Sequence, residues 1–370
     1  MFLRKSAIAV TVLLLAAFAS AGFARAADLP VKAAKKAADL PFFLLIDDRV
    51  TFSWMPKGTD PGVFSVRPDG SINGTTAKQV YSFTHFDIWQ YGTNFFTISM
   101  FKSDHNDPAN PCTNAGVVFN PGTGISTPAS CEGATEIYGL FRSTFGFNEM
   151  FGTKAFSYGP LHNISLEVGM DANTENNYLS PAKRDVVAGL QFALDLPYKG
   201  YFNVAPLMYW EFANRNAFTQ CGGGFAGPTP GVNCLVDGNR SFDPTWAVET
   251  NYYMDLGFLP ESMQFWSISG RAAWYGKKGT ENNPLPFNAI TNVNTAVEFN
   301  AEPIRLTFDA SKAVWGAKYT HFVDVWVAYR YWQNKFGLDH KNSSACNVSP
   351  GVSNHSCTES TVYSGITVKF

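Results

Sequence analysis

From residue 160 to residue 197 apolar side chains fall at every second position. Ile164, Leu166, Val168 and Met170 share one parity, and Asn163, Ser165, Glu167, Gly169 and Asp171 share the other. After a polar break at residues 173–180 the alternation resumes through Val186, Ala188, Leu190, Phe192, Leu194 and Leu196, and Pro197-Tyr198-Lys199-Gly200 reads as a short turn. A helix needs apolar residues three or four apart, so period two over this length predicts extended strands. The same pattern predicts twelve strands, at 47–55, 78–90, 93–102, 135–148, 161–172, 184–196, 201–212, 245–256, 263–275, 293–309, 319–333 and 361–370. Pro303 cannot donate to a sheet ladder, so it marks a bulge or a change of facing within the tenth.

The connections alternate in length. Residues 90–92, 197–200 and 257–262 are tight, whereas 56–77, 103–134, 213–244 and 334–360 are long and rich in Gly, Pro, Asn and Ser. Transmembrane β-barrels have short periplasmic turns and long extracellular loops. Twelve strands place both termini on the periplasmic side, as such a barrel requires. The turns at 149–160 and 310–318 are the longer members of the short set. The expected fold class is therefore all-β: a transmembrane antiparallel barrel of about 12 strands with long extracellular loops.

Composition and termini agree with that reading. Aromatic residues make up 15% of the chain and charged ones only 16%, and beyond the first segment no apolar run exceeds Phe42–Ile46. Arg4 and Lys5 precede the apolar run Ala7–Ala19, and Ala24-Arg25-Ala26 supplies small residues around a cleavage point. This is the pattern of a secretory signal peptide. The expected organisation is a signal peptide at 1–26, a periplasmic lead at 27–46 and a barrel at 47–370. Removing Arg4, Lys5 and Arg25 from 28 basic residues leaves 25 against 30 acidic ones, a formal charge of −5. With no basic stripe, nucleic acid is not an expected partner. The closing strand ends in Phe370 and resembles the signal read by bacterial outer-membrane assembly machinery, so the bacterial outer membrane and its lipid are the expected setting.

All six cysteines fall in long loops, as Cys112 and Cys131, Cys221 and Cys234, and Cys346 and Cys357. Six cysteines permit 15 pairings. Their placement in couples, one per loop, favours the three local disulfides in an oxidising compartment. No CxxC spacing or clustered histidine accompanies them, so no metal and no cofactor is expected.

If the apolar parity meets lipid, the other parity lines a lumen of mixed charge that leans acidic. It includes Glu136, Glu167, Asp171, Asp185, Glu211, Glu298 and Asp324 with Arg49 and several aromatic rings. Aromatic faces stack on planar rings, while carboxylates and guanidinium groups bond hydroxyls and ring edges. Candidate solute contacts chosen by parity are Tyr81, Phe83, Phe95, Arg142, Tyr209, Glu249, Asn251, Arg271 and Arg330. The second strand carries Phe and Tyr on both parities, which leaves its facing open.

Residues 81–102, Tyr-Ser-Phe-Thr-His-Phe-Asp-Ile-Trp-Gln-Tyr-Gly-Thr-Asn-Phe-Phe-Thr-Ile-Ser-Met-Phe-Lys, resemble the second-to-third-strand hairpin of Tsx-like nucleoside-specific outer-membrane channels. Tyr331-Trp-Gln-Asn-Lys-Phe-Gly337 is similar to an aromatic stretch in that family. The resemblance implies a monomeric twelve-stranded barrel and passive uptake of nucleosides, with aromatic and ionisable lumen residues holding base and sugar.

A general or sugar-selective porin is the nearest alternative. A lipid-hydrolysing barrel would need a nucleophile and a histidine near the outer leaflet. Here His85, His162 and His321 fall at the periplasmic strand ends and His105, His340 and His355 in outer loops, and no Gly-x-Ser-x-Gly occurs. An enzyme is therefore not expected. A loop-display or adhesion barrel is a third class, suggested by the cysteine-bearing loops.

Overall fold

The computed structural model describes residues 41–67, 69–108, 117–120, 125–128, 133–176, 182–215, 242–278, 295–349 and 351–370. All twelve expected strands are present: β1 (Phe43–Gly58), β2 (Thr76–Trp89), β3 (Gly92–Ser103), β4 (Thr135–Gly146), β5 (Leu161–Glu175), β6 (Ala182–Leu196), β7 (Gly200–Arg215), β8 (Thr245–Asp255), β9 (Trp266–Tyr275), β10 (Glu298–Asp309), β11 (Val323–Gln333) and β12 (Thr358–Lys369). Each pairs antiparallel with its neighbours in sequence, and β1 pairs with β12 to close the barrel. The seam runs from Arg49 opposite Lys369 to Trp54 opposite Ser364.

Boundaries differ from the sequence reading by a few residues at several strands, and three differences have a local reason. The segment Phe43–Ile46, expected in the lead, belongs to β1, because its backbone pairs with Asp87–Trp89 of β2. The tenth strand begins at Glu298, and its pairing slips between Ala301 and Ile304, where Pro303 supplies no donor. The two longer turns hold short helices, α1 (Phe147–Phe151) and α2 (Ala310–Trp315); the Asp309 side chain caps α2 by accepting from the Lys312 amide. The expected tight turn is present, with Tyr198 at φ 56° and Lys199 at φ 60°, the left-handed pair that suits a twisted hairpin.

Parity is consistent around the wall. Val50, Phe52, Ile98, Met170, Met208, Val325 and Ile366 are exposed on the outside. Aromatic residues gather at both ends of this apolar band. Trp89 with Phe145 and Trp266 with Phe308 lie at the turn end, and Trp274, Phe299 and Tyr331 form a contiguous row at the loop end. An outward apolar band between aromatic girdles is the surface a bilayer selects.

Of the three local disulfides expected, Cys346–Cys357 is formed in the β11–β12 loop. Cys112, Cys131, Cys221 and Cys234 lie outside the described residues.

The parity can be read with brominated lipids, whose acyl chains quench nearby indoles. Trp54→Phe or Trp246→Phe should lower the quenchable fraction of the fluorescence. Trp326→Phe, which removes an indole inside the barrel, should raise it.

Candidate functional site

The inward faces of twelve strands bring many polar groups into a narrow space, and burial makes each one need a partner. The principal crossing is made by Arg142 on β4. Its Nη1 lies 2.6 Å from Asp171 on β5, and its Nη2 donates across the lumen to Glu249 on β8 at 2.7 Å. Tyr138 donates to Asp171 at 2.7 Å and Tyr275 to Glu249 at 2.9 Å, so both carboxylates have neutral donors besides the shared cation. Glycine makes room for this crossbar, since a Cβ at Gly169 would meet Arg142 Cδ at 2.5 Å.

Above the crossbar, towards the loops, the described residues of two loops fold into the lumen. Residues 59–65 of the β1–β2 loop are buried, and the Thr59 amide donates to Glu359 at 2.9 Å. Lys335, just beyond β11, donates to the Thr59 carbonyl at 2.6 Å and to Glu359 at 3.0 Å, and Arg330 Nε lies 2.7 Å from the other oxygen of that carboxylate. Asn334 and Phe336 both take positive φ, at 53° and 57°, which turns the chain inward. Phe336 thereby reaches Lys183 on β6, whose ammonium sits 5.3 Å from the ring centroid. β6 stands five strands from β11 around a twelve-stranded ring, so this contact crosses most of the lumen.

On the wall away from these tethers the lining is more open. Ser82 and Ser99 bond at 2.7 Å, Thr84 and Thr97 at 3.3 Å, and Thr51 and Thr367 at 2.9 Å, giving a hydroxyl-lined wall on β1–β3 and β12. Phe95 is exposed on the same wall. Facing it, Asn203 donates to Asn251 at 3.1 Å, and Asn251 is in register with Arg271. Arg271 is exposed, and Tyr201 stacks on Tyr253 near the turn end.

Of the nine candidate contacts, Phe95, Arg142, Tyr209, Glu249, Asn251, Arg271 and Arg330 face the lumen. Arg142 and Glu249 meet directly, and Asn251 and Arg271 are neighbours. Tyr209 is buried against Tyr275 and donates to Glu211, and Arg330 is taken up by Glu359, so both act as walls of the loop half. Tyr81 and Phe83 are corrected: they face outward, because Lys78, Val80, Ser82 and Thr84 take the inward parity of β2. Tyr81 packs on Phe52, and Phe83 on Phe370. Lys183, Lys335 and Phe336 were missed. Lys183 stands one residue before the expected start of its strand, and the other two follow β11, so strand parity did not reach them.

On the outer face near the turn end, Asp48, His85, Asp87, Asn94 and Ser143 form one polar chain. The two ring nitrogens of His85 lie 2.6 Å from Asp48 and 3.1 Å from Asp87, while Ser143 donates to Asn94 at 2.7 Å. No nitrogen of His85 is set to take the serine proton, so this chain is not a nucleophile–base pair. Among the described residues two groups have metal-ligand proximity, Asp309–His321–Asp324 and Asp60–Asp107–Glu175. In the first, Asp309 accepts from Ser311, Lys312 and His321, and His321 bonds Asp324. In the second, the Lys78 ammonium already lies 2.7 Å from Asp60.

Removing one member of a buried ionic set leaves a charge without compensation, at a cost of about 3–5 kcal/mol. Arg142→Ala should therefore lower the unfolding midpoint of the refolded barrel strongly. The double variant Arg142→Ala/Glu249→Ala should lose less than the sum of the two single changes.

No family model matches the chain, and no curated protein matches it. Solved structures similar to it include the translocator domain of the autotransporter NalP from Neisseria meningitidis, with 9% identity, 88% of this chain and 89% of that one covered, and a TM-score of 0.37. An outer-membrane channel from Pseudomonas putida F1 aligns at 9% identity over 90% of this chain and 99% of that one, with a TM-score of 0.38. A BenF-like porin from Pseudomonas fluorescens Pf-5 aligns at 8% identity over 89% and 99%, with a TM-score of 0.33.

Proposed function

We propose that this barrel sits in the bacterial outer membrane as a passive, non-enzymatic channel for small polar solutes, and that nucleosides are the solute class it takes. The observation that carries the reading is the open part of the lumen lining. Exposed aromatic rings at Phe95 and Tyr201, paired amides at Asn203 and Asn251, and a hydroxyl-lined wall together offer what a nucleoside needs: a flat face for the base, and donors and acceptors for its edge and the sugar. The hairpin at residues 81–102 supports the same class through its resemblance to nucleoside-specific channels. Short turns face the periplasm and the loop half faces outward in this reading, with lipid against the apolar band and the barrel acting as a monomer. The hydroxyl wall would also suit a sugar, which makes a sugar-selective porin the second reading.

The test is uptake by liposomes carrying the refolded protein, comparing labelled adenosine or thymidine with a disaccharide. Nucleoside flux that saturates and exceeds disaccharide flux supports the reading, and Asn251→Ala should then weaken it. Equal flux of both solutes points to a general porin, and faster disaccharide flux to the sugar-selective one. Lys335→Met removes the cation that ties Thr59 to Glu359, so it should raise the flux of whichever solute passes.

A further inference from the structure

Cations inside the barrel are matched almost throughout. Lys78, Arg142, Lys183, Arg305, Arg330 and Lys335 each have a carboxylate oxygen within 3.0 Å. Arg271 differs. Among the described residues it is the one inward-facing cation below the loop rim that makes neither an ion pair nor a hydrogen bond, and it is exposed. Its register partner on β10 is Glu302, but that carboxylate is occupied: one oxygen accepts from Arg305 Nε at 2.8 Å and the other from the Tyr363 hydroxyl. Two guanidinium groups thus stand beside one carboxylate, and the surplus positive charge rests on the one that reaches water.

The surroundings suit a ligand. On the other flank Asn251 stands in register, its Oδ1 accepting from Asn203. Around the ring β3 lies six strands from β9, on the opposite wall, and it presents hydroxyls and the Phe95 ring with no acidic side chain on its inward face. Of the inward carboxylates nearest the crossbar, Asp171 and Glu249 are held by Arg142, and Glu167 lies 3.9 Å from Arg142 Nε and accepts from Gln191. The barrel leans acidic as a whole, yet the cation at this place is the uncompensated one.

We propose that Arg271 is an anion subsite in the open half of the lumen. Its guanidinium fork receives the carboxylate or phosphate of a small solute, with the Asn251 amide alongside and the neutral β3 wall facing the rest of the molecule. A planar fork with paired donors matches such a group in two-point geometry, which an ammonium cannot reproduce. The subsite deepens the channel reading by making the preferred solute one that carries a negative group; for the nucleoside class this is the 5′-monophosphate or a 5′-carboxylate. It rests on the channel reading for its biological use only, because binding can be measured without transport.

The experiment is calorimetric titration of the refolded protein in neutral detergent with adenosine 5′-monophosphate, adenosine 5′-carboxylate and adenosine. Both anions should bind roughly tenfold more tightly than adenosine, the size expected of a charge-assisted contact. Arg271→Gln should bring the anions level with adenosine. Arg271→Lys should restore part of the preference, and Arg184→Gln, on the outer face, should leave it unchanged. Tighter binding of one anion alone identifies phosphate or carboxylate as the group recognised. Equal affinity of all three probes, no binding of either anion, or an unchanged preference in Arg271→Gln would each overturn the subsite. Liposome flux is a separate readout: absent flux with intact anion preference removes the channel reading and leaves the subsite standing.

Discussion

The pairing of β1 with β12 is the constraint on which everything else depends. In hydrocarbon an unpaired backbone amide or carbonyl costs several kcal/mol, so a sheet can face lipid only when it has no edge. Closure at the Arg49–Lys369 to Trp54–Ser364 seam meets that condition and brings the start of β1 and the end of β12 to one rim. It also fixes parity, because a slip of one residue would turn every outward Val, Ile and Met into the lumen and every inward carboxylate into lipid.

Closure has a second effect, on the inside. Twelve inward faces bring their polar groups within reach of one another, so the side chains solvate one another. Arg142 binds two carboxylates from different strands, and Glu359 collects Arg330, Lys335 and the Thr59 amide. Such sets add little net stability compared with an apolar core, but their loss is costly. Space for them comes from small residues opposite the large ones. Gly169 admits the Arg142 side chain, and Gly365 admits the Trp326 indole, which would meet a Cβ there at 2.5 Å. Trp326 in turn carries Arg305, whose guanidinium carbon lies 3.9 Å from the ring centroid.

The fold was legible because its signal is a parity repeated twelve times, and an error at one strand does not propagate. Even Pro303 announced its bulge, since a missing donor acts on the ladder directly. The lumen was legible only where strands build it. Arg142, Glu249, Asn251 and Arg271 follow from alternation, whereas the closure by Lys335 and Phe336 depends on a loop folding back, which alternation does not encode. The second strand misled for a different reason: Tyr81 and Phe83 carry rings on the outward parity, and an aromatic girdle and a stacking platform use the same residue types. The ion pairs of Lys78, buried between Asp60 and Glu136, put that residue inside and settle the strand's facing.

The inward turn at Asn334–Phe336 makes the two ends of the lumen inequivalent. A solute arriving from the turn side meets exposed groups at once, whereas one arriving from the loop side must first displace a tethered ring and an ammonium. For any solute that crosses, the loop-side entry and exit share one high barrier and the turn-side entry and exit share a low one. Such a path cannot accumulate its cargo, since both directions cross the same summits. It does set residence: the cavity equilibrates with the turn-side compartment long before it equilibrates with the other. In a barrel that passes solute as proposed, the occupancy of the lumen thus follows the turn-side compartment first and the loop-side compartment later.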